Sequence, residues 1–183
     1  MGTIKATNVE PIADNGTVTL GSSGDTFTVP SGVTVNMSSA TQTGVGGSNS
    51  PYFQAYKNDA QSIGASWTKV QVNTEIVDSA NAYDNSSNYR FTPQTAGKYF
   101  IYGQVTCSTS SDMDRCMAGI YLNGSAVSQT NSYSSDSSSA HTATIVDLNG
   151  SSDYVELYGY FGVTNNTDTQ NRAVFFGGYK LID

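Results

Sequence analysis

The clearest pattern in this chain is an alternation of apolar and polar positions with a period of two, which is typical of half-buried β-strands. It is most regular between Trp67 and Asp78. There one predicted face holds Thr68, Val70, Val72, Thr74 and Ile76, and the other holds Lys69, Gln71, Asn73 and Glu75. We therefore expect one long strand over this segment, with its first face against a core.

Two further segments, 97–107 and 154–161, alternate in the same way but have aromatic side chains on the second face. The predicted core faces hold Tyr99, Ile101 and Val105 in the first segment and Val155, Leu157 and Phe161 in the second. Aromatic side chains on a face that would otherwise meet water predict a second buried surface, either a subunit contact or a covering loop. The predicted subunit contacts are Phe100, Tyr102, Tyr154, Tyr158, Tyr160 and Tyr179.

Turn residues separate these segments from four more predicted strands. These strands cover 52–56, 117–122, 140–148 and 173–182, and two of them end at Asn123-Gly124 and Asn149-Gly150. Seven or eight short strands at this spacing are typical of an antiparallel sandwich or jelly roll. The sequence therefore predicts an all-β jelly-roll domain over 51–183.

The first 50 residues have a different pattern. Three short apolar-alternating segments, 17–20, 27–29 and 33–35, lie between turn-rich stretches and predict an extended arm of short strands over 1–36. Strands of this length bury too little surface alone, so we expect the arm to anchor the chain to a partner or a neighbouring copy. The predicted anchor residues are Ile4, Val9, Val18, Leu20, Phe27, Val29, Val33 and Val35. A Gly- and Ser-rich stretch, 37–50, predicts a flexible linker.

Charge and hydropathy exclude several classes of partner. The formal net charge is -7, from 8 basic and 15 acidic residues, which argues against nucleic-acid and anionic-membrane partners. No apolar stretch approaches the roughly 20 residues that span a bilayer. The segment Met1–Lys5 lacks the apolar core of a secretory signal, so we expect synthesis in the cytoplasm without a signal peptide.

Few residues suggest chemistry. The single histidine, His141, lies near Asp136 and a run of serines, but no Gly-x-Ser-x-Gly turn accompanies it, so we reject a catalytic triad. Asp112, Asp114 and Asp153 are better explained as turn residues than as calcium ligands, and one histidine with two cysteines does not make a zinc site. The sequence predicts no enzyme, no cofactor and no metal site.

The two cysteines, Cys107 and Cys116, flank a polar run that could form a hairpin turning at Ser111-Asp112. Such a hairpin would place them directly opposite each other, within reach of a disulfide. The alternative is two reduced, partly buried thiols, which the lack of an export signal favours.

Several blocks carry a family resemblance. The segments 53–56, 91–105, 122–124, 153–157 and 176–181 resemble, in this order, the globular head of complement component 1q and its tumour-necrosis-factor-like relatives. The resemblance covers about 52–183 and implies a ten-stranded jelly roll that forms a tight homotrimer. The turn 149–153 is longer than the family's, which leaves open any ligand contact there.

The arm has its own resemblance. The segments 4–11, 17–21 and 24–35 resemble amino-terminal segments of virion proteins from tailed bacteriophages. Together the two resemblances imply a trimeric capsid decoration, or cement, protein on the virion surface, held through its arm by the major capsid protein or another virion protein. The first alternative is a receptor-binding tip or fibre protein of the phage tail that reads host glycans with the loops 81–89, 129–140 and 164–171. The second is a secreted lectin or cytokine-like module.

Overall fold

The structure is a computed structural model, and it describes residues 17–36, 49–108, 114–133 and 138–182. The chain divides into two units, Met1–Val45 and Gly46–Asp183, which are described separately. The predicted boundaries of arm, linker and domain at 36 and 50 stay a prediction.

The described residues of the second unit form thirteen strands and one 3₁₀ turn. The strands are β1 Tyr52–Tyr56, β2 Ser62–Ile63, β3 Thr68–Lys69, β4 Thr74–Asp78, β5 Tyr83–Asp84, β6 Arg90–Phe91, β7 Gly97–Thr106, β8 Arg115–Leu122, β9 Ser125–Tyr133, β10 Ser139–Leu148, β11 Val155–Phe161, β12 Asn165–Asn166 and β13 Phe175–Lys180. The 3₁₀ turn is Gln170–Arg172. None of the described residues belongs to a helix long and apolar enough to cross a membrane.

The long strands form two antiparallel sheets. The five-stranded sheet has the order β10-β7-β13-β1-β4, and the six-stranded sheet has the order β5-β6-β11-β8-β9 with β3 also paired to β11. Along the chain, β7 and β10 lie in the first sheet, whereas β8, β9 and β11 lie in the second. Connections that repeatedly cross between two packed antiparallel sheets make a jelly roll. The predicted all-β jelly-roll fold is confirmed.

The core lies between the sheets and depends on close contact between β7 and β11. The predicted inward residues of both strands, Tyr99, Ile101, Val105, Val155, Leu157 and Phe161, are fully buried. Each strand also has one inward glycine. A Cβ on Gly103 of β7 would lie 2.6 Å from Leu157 Cδ1, and a Cβ on Gly159 of β11 would lie 3.1 Å from Val105 Cγ1. Each glycine therefore leaves the space that a large side chain of the other sheet fills.

An aromatic cluster around Phe53 fills another part of the core. Its ring stacks on Phe91 and Tyr83, at centroid distances of 4.3 and 4.9 Å, and meets Phe176 edge-on at 5.1 Å. The buried Tyr83 hydroxyl donates to the Val72 carbonyl at 2.8 Å. Because β1, β5, β6 and β13 each supply one ring, this cluster joins the two sheets where their short strands meet.

The predicted long strand over 67–78 is wrong in one respect. Its first part, β3, pairs with β11, whereas its last part, β4, pairs with β1 in the other sheet. Val70 and Val72 are fully buried as expected, but Ile76 is 43% exposed. The Val72 N–H donates to the Val70 carbonyl at 3.0 Å, and this hydrogen bond closes a tight three-residue turn. The chain turns there to change sheets, so the alternation does not continue on one face.

Strand β9 was not predicted. Residues 129–133, which the sequence suggested were part of a loop, are its second half. Polar residues dominate β9, so it lacks the apolar alternation of the other strands. Its position is fixed by its neighbour: Leu122 faces Ser125 across the predicted turn Asn123-Gly124, whose φ angles are 50° and 79°. Positive φ at both central residues is typical of a tight two-residue hairpin.

The first unit is described over 17–36, and no residue of this range lies in a strand. Two backbone hydrogen bonds within this range each close a turn: Asp25 N–H donates to the Ser22 carbonyl, and Val33 N–H donates to the Pro30 carbonyl. The segments 17–20, 27–29 and 33–35, expected to be short strands, therefore have no strand partners within the described residues.

The glycine contacts make a testable prediction about the core. Gly103→Ala should lower the free energy of unfolding by about 1–3 kcal/mol, because the added methyl group overlaps Leu157. Leu157→Ala should cost about 2–5 kcal/mol by leaving a cavity. In the double variant the cavity accommodates the new methyl group, so chemical denaturation should show a loss smaller than the sum of the two. Strictly additive losses would contradict this packing.

Candidate interaction surfaces

The outward side of the five-stranded sheet carries a row of large apolar side chains. Adjacent strands place Ile145, Phe100, Tyr179 and Tyr52 directly next to one another across the sheet. Ile145, Tyr52 and Tyr179 are 58%, 42% and 38% exposed. The rings of Phe100 and Tyr179 lie 5.6 Å apart. We call this surface, with its second row Tyr102, Gly177, Gln54 and Val77, the five-strand face.

The five-strand face contains a shallow hollow of about 390 Å³ beside this row. Tyr102 lies over Gly177, where a Cβ would come within 2.5 Å of the phenol oxygen. Burial raises the pKa of the Tyr102 phenol. The remaining lining includes Tyr52, Val77 and Tyr179, so the hollow is bounded mainly by apolar surface.

The outward side of the six-stranded sheet is also aromatic, but its rings pack against each other. Tyr121 and Tyr158 stack with centroids 4.0 Å apart. The Trp67 indole lies over Gly119, where a Cβ would come within 3.1 Å of its ring, and 6.0 and 5.9 Å from the rings of Tyr121 and Tyr160. We define the six-strand face as Trp67, Lys69, Arg90, Arg115, Tyr121, Tyr154, Glu156, Tyr158 and Tyr160.

Charged groups are built into the six-strand face. The Glu156 side chain is 4% exposed, and its Oε1 forms an ion pair with Lys69 Nζ at 2.5 Å. Burial, together with the neighbouring Glu156 charge, raises the pKa of Tyr158. Two guanidinium groups cover rings at either end: Arg90 lies 4.3 Å from the Tyr154 centroid and Arg115 lies 5.4 Å from that of Tyr160. This face therefore combines rings with cations.

The six predicted subunit-contact residues lie on these two faces and not on one. Phe100, Tyr102 and Tyr179 belong to the five-strand face, whereas Tyr154, Tyr158 and Tyr160 belong to the six-strand face. Both sheets turn their other side to the shared core, so the two faces point in opposite directions. The expected single surface is thus two surfaces, because identical alternation on two strands does not reveal that they lie in different sheets.

The hairpin predicted to join the cysteines is wrong. Cys107 directly follows β7 of the five-stranded sheet, and Cys116 lies in β8 of the six-stranded sheet. Both are buried, free thiols. They approach each other across the core, where a hydrogen bond links the two side chains. Cys116 Sγ also lies 3.4 Å from the Val105 carbonyl oxygen, and Cys107 Sγ accepts from Ser138 N–H at 3.2 Å. The turn Ser111-Asp112 lies outside the described residues, and disulfide formation stays a prediction.

The two thiols have opposite pKa shifts. A hydrogen bond from the Cys116 thiol lowers the pKa of Cys107 by stabilising its thiolate. The same bond, together with burial, raises the pKa of Cys116. Cys107 is therefore the thiol of the pair that ionises first, while Cys116 keeps its proton.

The described part of the arm presents a third surface. Every residue of 17–36 is exposed. The predicted anchor residues in this range, Val18, Leu20, Phe27, Val29, Val33 and Val35, are 37–71% exposed. Ile4 and Val9 lie outside the described residues.

The residues considered for chemistry are dispersed. His141 is exposed on β10, and its nearest ring is Phe175 at 6.3 Å. The Asp153 carboxylate accepts hydrogen bonds from Asn123 Nδ2 and Asn149 N–H, both at 2.9 Å, which is a turn-stabilising role. Over the described ranges, no three His, Cys, Asp or Glu side chains form a group that could hold a metal ion.

Comparison with known proteins supports the fold. No protein-family model matches the chain, and no curated protein matches it. Solved structures do match: murine APRIL at pH 5.0 is 13% identical, with a TM-score of 0.56 over 71% of this chain and 98% of that one. The globular domain of zebrafish complement 1qA is 15% identical, with a TM-score of 0.54 over 72% and 96%. Eiger TNF from S. frugiperda is 15% identical, with a TM-score of 0.55 over 72% and 92%. The chain has the jelly-roll fold of these TNF and complement-1q domains.

The cysteine pair makes a prediction with a definite sign. One thiol of the folded protein should ionise below the ordinary thiol pKa of about 8.5, as measured by the ultraviolet absorbance of the thiolate. Because the folded state then binds fewer protons than the unfolded state, Cys107 adds stability as pH rises through this window, and that contribution is lost as pH falls through its lowered pKa. Above about pH 8.5 the raised pKa of Cys116 acts in the opposite direction. Cys116→Ala should move the absorbance midpoint upward, and an unchanged midpoint would contradict the thiol–thiolate bond.

Proposed function

We propose that this chain is a non-enzymatic structural protein of a tailed-bacteriophage virion: a homotrimeric capsid decoration protein anchored through its amino-terminal arm. The observation that carries the proposal is the exposure of all six apolar anchor residues described in 17–36. An arm whose described part has alternating apolar side chains and no strand partner among the described residues is suited to add strands to a neighbouring protein. The major capsid protein, or another virion protein, is the proposed partner.

The homotrimer is proposed to form through the five-strand face. The resemblance to complement-1q and TNF-like domains implies such a trimer. Exposed apolar rows of this kind are uncommon on monomeric proteins and are typical of subunit contacts. Ile145, Phe100, Tyr179 and Tyr52 supply a continuous row across four strands.

Ring geometry supports the choice of one face. When two different surfaces of identical subunits meet, the assembly closes only if the rotation between them completes a circle. The five-strand face and the six-strand face point in opposite directions, so a contact between them would extend as a filament. A closed trimer would therefore turn only one of the two faces toward its axis, and the exposed apolar row supports the five-strand face in that position, with the six-strand face outward.

This assignment makes a prediction with a control on the opposite face. Phe100→Glu and Tyr179→Glu should each convert trimers to monomers or aggregates, because a carboxylate would be buried without a partner. Tyr160→Glu, on the six-strand face, should leave the mass in light scattering at three times the 19.3 kDa of the chain. Loss of the trimer only in Tyr160→Glu would assign the interface to the other face.

The arm makes a second prediction. The triple variant Phe27→Asp, Val29→Asp and Val33→Asp should remain a soluble trimer but fail to join phage particles, because three anchor positions become charged. The matched control Thr26→Asp, Thr28→Asp and Thr34→Asp adds the same charge at exposed polar positions and should still be incorporated. Equal incorporation of both variants, measured from the protein content of purified particles, would refute the anchor.

Particle imaging distinguishes the proposal from its main alternative. Density for the trimer at threefold positions of the capsid is the expected result. Density at the tail alone would overturn decoration in favour of a receptor-binding tip or fibre protein. The aromatic six-strand face, directed outward in the proposed trimer, is the observation that keeps glycan recognition as the second candidate.

A further inference from the structure

The six-strand face contains an aromatic platform at Trp67, which is half-buried. Trp67 is tilted by 57° and 54° from the rings of Tyr121 and Tyr160, so neither ring is stacked on the indole. Gly119 beneath it carries no side chain, which lets the indole settle close to the sheet. A flat, amphipathic ring held in this way is a typical contact for small, partly polar ligands.

Two cations on this face have no acidic partner among the ion pairs of the described residues. Those pairs are Lys57–Asp59, Lys69–Glu156 and Lys98–Asp147. Arg90 and Arg115 belong to none of them, and each lies over an aromatic ring instead. The Arg115 Nε is also buried and has no hydrogen-bond partner. A buried, unsatisfied donor on a guanidinium group favours an acceptor supplied from outside the chain.

Two carboxylates flank Arg90 across the sheet, those of Glu156 and Asp84, and each has other partners; a third, on exposed Asp114, lies beside Gly162 near Arg115. Glu156 is paired with Lys69. Asp84, which faces Arg90 across the sheet, accepts hydrogen bonds from the N–H groups of Ser86, Ser87 and Asn88 and from the Asn88 side chain. None of these carboxylates forms an ion pair with either arginine among the described residues, so both guanidinium groups keep hydrogen-bond donors for an anion.

We propose that the six-strand face binds an acidic oligosaccharide, with a sugar ring on Trp67 and acidic groups at Arg90 and Arg115. Arg90 lies opposite Glu156, and the Arg115 carbonyl accepts from the Gly162 N–H. Six residues of β11 and its extension separate these positions, a span of roughly 20 Å at the rise of a β-strand. That length fits several sugar units and not one.

The spacing favours a sugar over a nucleic acid. A nucleic-acid strand carries a charge about every 3.4 Å and needs several cations and several open rings. This face offers two available cations roughly 20 Å apart, while Tyr121 and Tyr158 cover each other. The formal net charge of -7 also repels a densely charged strand. A glycan with an occasional acidic unit matches the spacing of the two arginines, and the net charge repels it less than a nucleic acid.

The proposal can be tested directly because Trp67 is the only tryptophan in the chain. Its fluorescence in the purified full-length protein is titrated with a panel of acidic oligosaccharides that includes uronate, sialylated and phosphorylated chains, and with neutral chains of equal length. We expect a saturable change with at least one acidic member. Arg115→Gln and Arg90→Gln should each weaken that binding about tenfold or more, as expected for a lost charge-assisted contact.

Two controls separate a binding role from a structural one. Arg115→Lys keeps the charge and should restore part of the affinity. Lys98→Gln removes a 60% exposed cation that lies opposite Asp147 on β10 of the other sheet, and it should bind like the unchanged protein.

Each remaining outcome overturns the proposal. No fluorescence change with any acidic oligosaccharide would reject the site, and an equal response to neutral chains would reject the role of the arginines. A stronger response to an oligothymidylate would assign the face to nucleic acid instead. The inference deepens the glycan-recognition alternative given above. Because the assay uses isolated protein, its failure leaves attachment to the virion untouched.

Discussion

The rest of the structure depends on the interlocking of β7 with β11 across the core. Gly103 and Gly159 leave space, and Leu157 and Val105 fill it from the opposite sheet. Close packing of this kind holds two sheets at one distance and in one register, because a slip by one residue would turn every core side chain outward. The same constraint fixes which side chains point away from the core. The outward direction of the aromatic rings thus follows from the packing of the core, since the rings occupy the positions between the buried ones.

The sheet register then decides which surface each outward residue joins. Phe100 meets Ile145 and Tyr179 because β7 lies between β10 and β13. Tyr158 meets Lys69 and Gly119 because β11 lies between β3 and β8. Neither set of neighbours is close in the sequence, so the chemistry of each face is a property of the strand order. Gly177 and Gly119 have matching roles, because each lets a large ring lie close against its sheet.

Much of the fold could be predicted from the sequence, and the failures have physical causes. Alternation alone identified the buried residues of β7 and β11, because the period of two continues without a break along both strands. It failed after Val72, where the chain changes sheets, and it missed β9, whose polar side chains give no signal of burial. The cysteines illustrate the limit most clearly. Their proximity was expected, but from a hairpin, whereas β7 and β8 belong to opposite sheets.

The charges explain why the two faces are suited to different uses. Burying an arginine at a subunit contact costs several kcal/mol unless a carboxylate pairs with it. Arg90 and Arg115 lack such a partner among the described ion pairs. Packing the six-strand face against another subunit would therefore bury two cations without a paired carboxylate. The row on the five-strand face instead ends in Ile145 and Tyr52, whose burial gains about 25 cal/mol for each Å² of apolar surface removed from water. Desolvation therefore favours self-association on the first sheet and leaves the second to ligands that can meet a cation in water.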